Sequence, residues 1–154
     1  MKTRTILASI AAFFVGFAVC LAADPNMGTW KLNEAKSKFT DGAAKNLTVV
    51  YEPAGDMIKV IVDGVDAAGK PAHNEWTGKF DGKDYPVTGE ATYDSRSYTK
   101  VDANTLTLTT KKGGKLVANG KIVVAPDGKS RVLTVTPADP KNASLSSTAV
   151  YDKQ

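Results

Sequence analysis

From Gly28 onward the chain is built of short segments in which apolar and polar residues alternate, separated by clusters of Gly, Pro, Asp and Asn. Asn46 to Glu52 sets Leu47, Val49 and Tyr51 against Thr48, Val50 and Glu52. Pro53-Ala54-Gly55-Asp56 reads as a turn, with Met57 to Asp63 as the partner strand. His73 to Phe80 puts Trp76, Gly78 and Phe80 on one face and His73, Glu75, Thr77 and Lys79 on the other. Asp81-Gly82-Lys83 predicts a tight hairpin into Asp84–Thr88, a strand that Pro86 shortens or bulges because it lacks an amide donor. Gly89 to Asp94 is loop-like, and strands follow over Ser95–Val101, Thr105–Lys111, Lys115–Val124, Arg131–Thr136 and Thr148–Lys153. The Thr-rich face of Thr105, Thr107 and Thr109 suits the outside of a sheet.

The opening strand is Gly28-Thr29-Trp30-Lys31-Leu32, and one helical turn follows it, with Asn33 as its N-cap. No long amphipathic helix is predicted. The pattern is all-β: an antiparallel up-and-down meander of about eight to ten strands, which closes into a barrel because closure removes unpaired edges. An open curved sheet or a two-sheet sandwich is the competing outcome.

The first residues follow a different rule. Lys2 and Arg4 precede an uncharged apolar run from Ile6 to Leu21, and Cys20-Leu21-Ala22 offers small residues to a signal peptidase. The expectation is a secretory leader over residues 1–22, cut after Ala22 or Ala23, and a single domain over 23–154. The run is short for a membrane span. Lipid attachment at Cys20 is disfavoured, because Phe17-Ala18-Val19 makes a poor lipidation signal. Loss of the leader removes the one cysteine, so the mature domain relies on a hydrophobic core rather than a disulfide. It also leaves 18 basic against 16 acidic residues, a mixed surface without a nucleic-acid footprint. The expected location is periplasmic or extracellular.

Gly28-Thr29-Trp30-Lys31-Leu32 resembles the Gly-x-Trp opening of lipocalins and fatty-acid-binding proteins, the calycin group. Val150-Tyr151-Asp152-Lys153 resembles the closing strand of the fatty-acid-binding proteins. The stretch from Trp30 to Phe39 is similar to small secreted bacterial proteins described as lipocalin-like. The resemblance implies a barrel whose base is plugged by Trp30 beside Gly28, with a basic residue stacked near the indole. Two departures stand out. Only Glu34 to Ala44 separates the first two strands, where fatty-acid-binding proteins insert a helix-turn-helix lid. Ala149 occupies the place, two residues before the final Tyr151, where those proteins carry an arginine for the carboxylate.

The chemistry on offer is that of binding. Trp76 and Phe80 share a face that points into a barrel, where aromatics either contact a ligand or fill the interior. Tyr51, Tyr85 and Tyr98 combine an apolar body with a hydroxyl, as ligand-orienting groups do, and strand packing explains them equally. Arg96 shares parity with Tyr98 and is the candidate pocket cation, and Arg131 is a second, whose direction the pattern leaves open. The lone histidine, His73, makes an outward pair with Glu75, too few ligands for a metal site. No serine sits in a Gly-x-Ser-x-Gly turn, no glycine-rich loop opens a helix, and the Asp pairs flank turns. The function expected is binding of a small apolar or amphipathic molecule, with no cofactor, metal or nucleic-acid partner. The alternatives are a filled barrel that acts through its surface and, further off, a barrel enzyme.

Overall fold

A computed structural model describes residues 24–154, apart from the side chains of 143–145, and the leader assigned to 1–22 lies outside the described residues. Ten strands run in order: β1 (Gly28–Leu32), β2 (Lys45–Ala54), β3 (Met57–Val65), β4 (Pro71–Gly78), β5 (Tyr85–Thr88), β6 (Ser95–Lys100), β7 (Thr105–Lys112), β8 (Lys115–Val124), β9 (Ser130–Pro137) and β10 (Ser147–Lys153). Each strand pairs antiparallel with its neighbours in sequence, and β1 pairs with β10 to close the barrel. The meander is thus an up-and-down barrel with no free edge. A 3-10 turn over Glu34–Lys36 is capped by Asn33, whose side chain accepts from the Lys36 amide, and it stands where a helical lid would be.

Period-two alternation decides what lies inside. Val49 and Tyr51 of β2, Val60 and Val62 of β3, Trp76 of β4, Val87 of β5, Tyr98 of β6, Leu106 and Leu108 of β7, Ile122 and Val124 of β8, and Ala149 and Tyr151 of β10 form one buried cluster. Trp30 of β1 joins it, fully buried. The N-terminal segment, the C-terminus and the connections 55–56, 79–84, 101–104 and 125–129 gather at one end of the barrel. The connections 33–44, 66–70, 89–94, 113–114 and 138–146 gather at the other.

Two connections differ from the expected pattern. The Asp-Gly segment does not turn β4 directly into β5. Residues 79–84 form a wider loop that leans on the end of β6, where the Gly82 amide donates to the Tyr98 carbonyl at 2.8 Å and Asp81 bridges Thr99. Asp81 still makes the local turn, with Oδ1 accepting from the Lys83 amide at 3.1 Å. The second difference is a 3-10 turn over Pro140–Leu145, where Asp139 Oδ1 accepts from the Lys141 amide at 2.9 Å.

The wall is thinnest around β5. It shares only two register pairs with β4, Glu75 with Thr88 and Trp76 with Val87, and two with β6, Tyr85 with Arg96 and Pro86 with Ser95. Pro86 has no amide to give, so side chains complete the seam.

Candidate functional site

Inside the barrel the strands bring five aromatic rings into one cluster. Trp76 lies edge to face with Tyr98 at 4.8 Å between centroids and with Tyr85 at 5.7 Å, and it stacks on Phe80 at 6.4 Å. Tyr51 meets Tyr98 and Phe80 at 6.3 and 6.4 Å. Such contacts contribute about 0.5–1.5 kcal/mol each beyond the area they bury. Gly78 makes this packing feasible, because a Cβ there would come within 2.6 Å of the Trp76 and Tyr85 rings. The Trp76 Nε1 donates to the Arg96 carbonyl at 2.8 Å, a bond from β4 to β6 that passes over the short β5.

Arg96 is 4% exposed and carries its charge into this interior. Its Nη2 donates to Asn74 Oδ1 at 3.0 Å and to the Tyr93 hydroxyl at 2.5 Å, and Nη1 donates to the Tyr98 hydroxyl at 3.4 Å. Every one of these acceptors is neutral. The guanidinium also lies 5.3 Å from the Tyr93 ring and 6.0 Å from the Tyr98 ring. Burial opposes charge on Arg96, and the phenol oxygens of Tyr98 and Tyr93 outweigh it, so the group is held firmly protonated. Burial raises the Tyr98 phenol as well, keeping it neutral. Tyr93, on the 89–94 connection, is raised by burial too.

Arg131 is placed differently. It sits in β9 beside Tyr151, only 2% exposed, with its guanidinium 4.7 Å from the Trp30 ring, 4.9 Å from Tyr51 and 5.0 Å from Tyr151. Its Nε and Nη1 have no hydrogen-bond partner among the described residues. A desolvated cation–π contact is worth about 2 kcal/mol, so three rings offset a burial penalty of several kcal/mol. Burial pushes the Tyr151 phenol up to about 12, against the pull of Arg131. The Trp30 Nε1 donates to the Asn26 carbonyl at 2.8 Å, and Lys153 Nζ lies 5.1 Å from the indole. Gly28, Trp30 and Arg131 therefore belong to the end of the barrel that holds both termini. Trp76, Phe80, Tyr51, Tyr85, Tyr98 and Arg96 form a continuous cluster, linked to Arg131 through Tyr51.

Pattern reasoning missed Tyr93 and Asn74. Asn74 had a signal, since it shares parity with Trp76 on β4; Tyr93 lies in a loop, where no alternation sets direction.

No buried carboxylate accompanies the two arginines: the buried polar residues among those described are Asn26, Asn74, Arg96, Ser97, Thr105, Thr110 and Arg131. The interior is thus net positive. Two depressions of about 290 Å³ each lie in the wall, one at the β4–β5 seam with Glu75, Trp76, Thr77, Pro86 and Thr88, the other over Asn119, Gly120, Lys121, Thr134 and Thr136.

On the outer face His73 is exposed, with Nδ1 2.7 Å from Asp63 Oδ1 and Nε2 3.5 Å from Glu75 Oε1. Among the described residues, no group of three or more His, Cys, Asp or Glu side chains is placed to hold a metal ion. The hydrogen bond to Asp63 raises the His73 pKa above its ordinary 6.5. A folded pKa above the unfolded one means a contribution to stability that is complete below about pH 6.5 and is lost as pH rises through the folded value. An NMR titration of the His73 ring is expected to report a midpoint above 6.5, and Asp63→Asn is expected to move it back down.

No protein-family model matches the chain, and no curated protein matches it. Solved structures do. A Schistosoma mansoni fatty acid binding protein in complex with arachidonic acid is 20% identical, with a TM-score of 0.56, over 84% of this chain and 96% of that one. A redesigned β-barrel, mFAP1, bound to DFHBI is 17% identical, with a TM-score of 0.49, over 86% of this chain and 98% of that one. The first shows that the fold is a barrel of the fatty-acid-binding-protein type. No helix among the described residues is long and apolar enough to cross a membrane.

Proposed function

We propose that the protein is exported and binds small apolar or amphipathic molecules non-covalently inside its barrel. The observation that carries this reading is Arg96: a buried cation, held by neutral acceptors only, beside a cluster of aromatic rings. That is the composition of a binding interior, mostly apolar with a few convergent polar groups. Apolar surface transferred from water supplies affinity at about 25 cal/mol per Å², and the polar groups set orientation. The Schistosoma protein of this fold was solved with a bound fatty acid, which supports the same use of the interior. Phe80 and Tyr85 are only partly buried against this cluster, so they are the side chains that yield to a ligand.

A second reading, a filled barrel acting through its surface, is favoured by the outer wall. Val123 and Val132 are register partners on β8 and β9, and both are solvent-exposed. One experiment separates the two. The mature protein is purified from its own host's export compartment, weighed by native mass spectrometry, then extracted under denaturing conditions. The binding reading expects a reproducible small-molecule mass and an N-terminus at Ala23 or Asp24. An apo mass, with no change in tryptophan fluorescence across a panel of lipids and aromatic compounds, overturns binding in favour of the filled barrel.

A further inference from the structure

We propose that the Arg96 cluster is a recognition site for an oxyanion, carboxylate or phosphate, on the ligand's polar end, and that the Tyr93 hydroxyl occupies the oxyanion's place until the 89–94 connection swings it out. The inference deepens the proposed function and rests on it.

The argument begins with charge. A buried guanidinium offers five N–H donors in a fixed fork shaped for carboxylate or phosphate. Arg96 spends its terminal donors on an amide oxygen and two phenols. No carboxylate is among the buried polar residues described, so nothing in that set neutralises it. Hydrogen bonds to charged acceptors are about twice as strong as those to neutral ones, so an oxyanion in the same place displaces a phenol.

Of the three acceptors, Tyr93 is the one able to leave. Asn74 and Tyr98 stand on paired strands and point inward with their neighbours. Tyr93 belongs to a connection clamped at both ends. At one end Gly89 holds φ +81°, where a Cβ would lie 2.3 Å from the His73 carbonyl oxygen. At the other, the Asp94 carbonyl accepts from the Val87 amide and its amide donates to the Lys111 carbonyl, and its Oδ2 accepts from the Gly113 amide at 2.9 Å. Between the clamps the ties are slighter. Glu90 Oε1 accepts from the Thr92 amide and hydroxyl within the loop, and Lys112 Nζ reaches the Ala91 carbonyl at 3.1 Å. The Tyr93 ring is the loop's inward contact, partly buried against the core. A flap with fixed ends and one inward latch is what a gated site needs.

The test is isothermal titration calorimetry of the mature chain with decanoate, decyl phosphate and decanol. At least one acid is expected to bind about tenfold or more tightly than decanol, and whichever acid leads assigns the oxyanion. Arg96→Met is expected to erase that preference, bringing the acids and decanol to similar affinities. Tyr93→Phe, which keeps the ring and removes the competing oxygen, is expected to raise affinity for the preferred acid and to widen its preference over decanol. Should Arg96→Met fail to fold, Arg96→Lys keeps the charge without the fork and is expected to shrink the preference. Equal affinity for acids and alcohol in the unmodified protein overturns the oxyanion site while leaving interior binding in place, and so does a preference that survives the loss of Arg96. Weaker acid binding by Tyr93→Phe overturns the gate, making Tyr93 a ligand contact. If no probe binds, both this inference and the binding reading fall.

Discussion

Trp30→Ala is expected to lower the free energy of unfolding by about 3–5 kcal/mol, the range for deleting a large aromatic side chain from a packed core. Three losses combine at this position. The indole is fully buried, so its removal opens a cavity at the end of the barrel where both termini meet. The Asn26 carbonyl loses the donor 2.8 Å away. Arg131 loses one of the three ring faces that compensate its burial, while its Nε and Nη1 have no acceptor among the described residues. A buried cation stripped of compensation costs more than the cavity alone. Urea denaturation measures the change, and Trp30→Phe is expected to recover part of it, since it restores a ring face but not the indole N–H. A loss below about 1 kcal/mol would show that the stack is incidental to stability.

Trp76→Ala is expected to cost a similar 3–5 kcal/mol or so, and to act in a more local way. The ring touches Phe80, Tyr85 and Tyr98, and its Nε1 ties β4 to the Arg96 carbonyl of β6. Beneath that tie lies β5, with two register pairs on each side and a proline in its middle. Without the tie, the amide of Val87, which donates to the Asp94 carbonyl at 2.9 Å, is expected to exchange by local opening rather than by global unfolding. Native-state hydrogen exchange checks this. Uniform loss of protection across β2, β3 and β5 would show instead that Trp76 supports the whole core and the seam has no separate motion.

Much of this architecture is legible in the alternation of residues, because in a barrel one face is buried along every strand and period two sets direction. Parity places Trp76 with Asn74, and Arg96 with Tyr98, on the inner face where they are found. Parity also groups Phe80 with Trp76, and the rings do stack, although Phe80 lies two residues beyond the end of β4. Arg131 was not legible in the same way. Leu133 and Val135 share its parity and mark the inner face, but Val132 breaks the alternation at the next residue, and an arginine is rarely fully buried, so the pattern alone does not turn Arg131 inward. Tyr93 escaped for a different reason: loop geometry follows its clamps, Gly89 and Asp94, and their partners lie on other strands. The Asp81-Gly82 turn forms locally, but the end of β6 offers a carbonyl that a four-residue β5 does not cover, and the segment pairs there. The Pro140–Leu145 turn carried a readable signal in Asp139-Pro140, an aspartate able to accept from the amides that follow it.

The two tryptophans give the most direct test of ligand binding in the interior. Their indole N–H groups bond to different carbonyls, Arg96 for Trp76 in the aromatic cluster and Asn26 for Trp30 at the terminal end. In a two-dimensional ¹H–¹⁵N spectrum they give two separate side-chain resonances, assigned by Trp30→Phe. On titration with decanoate the Trp76 indole resonance is predicted to shift and saturate while that of Trp30 holds still. Two indole resonances that stay in place at millimolar ligand, or a shift confined to Trp30, would contradict a binding site built around Trp76 and Arg96.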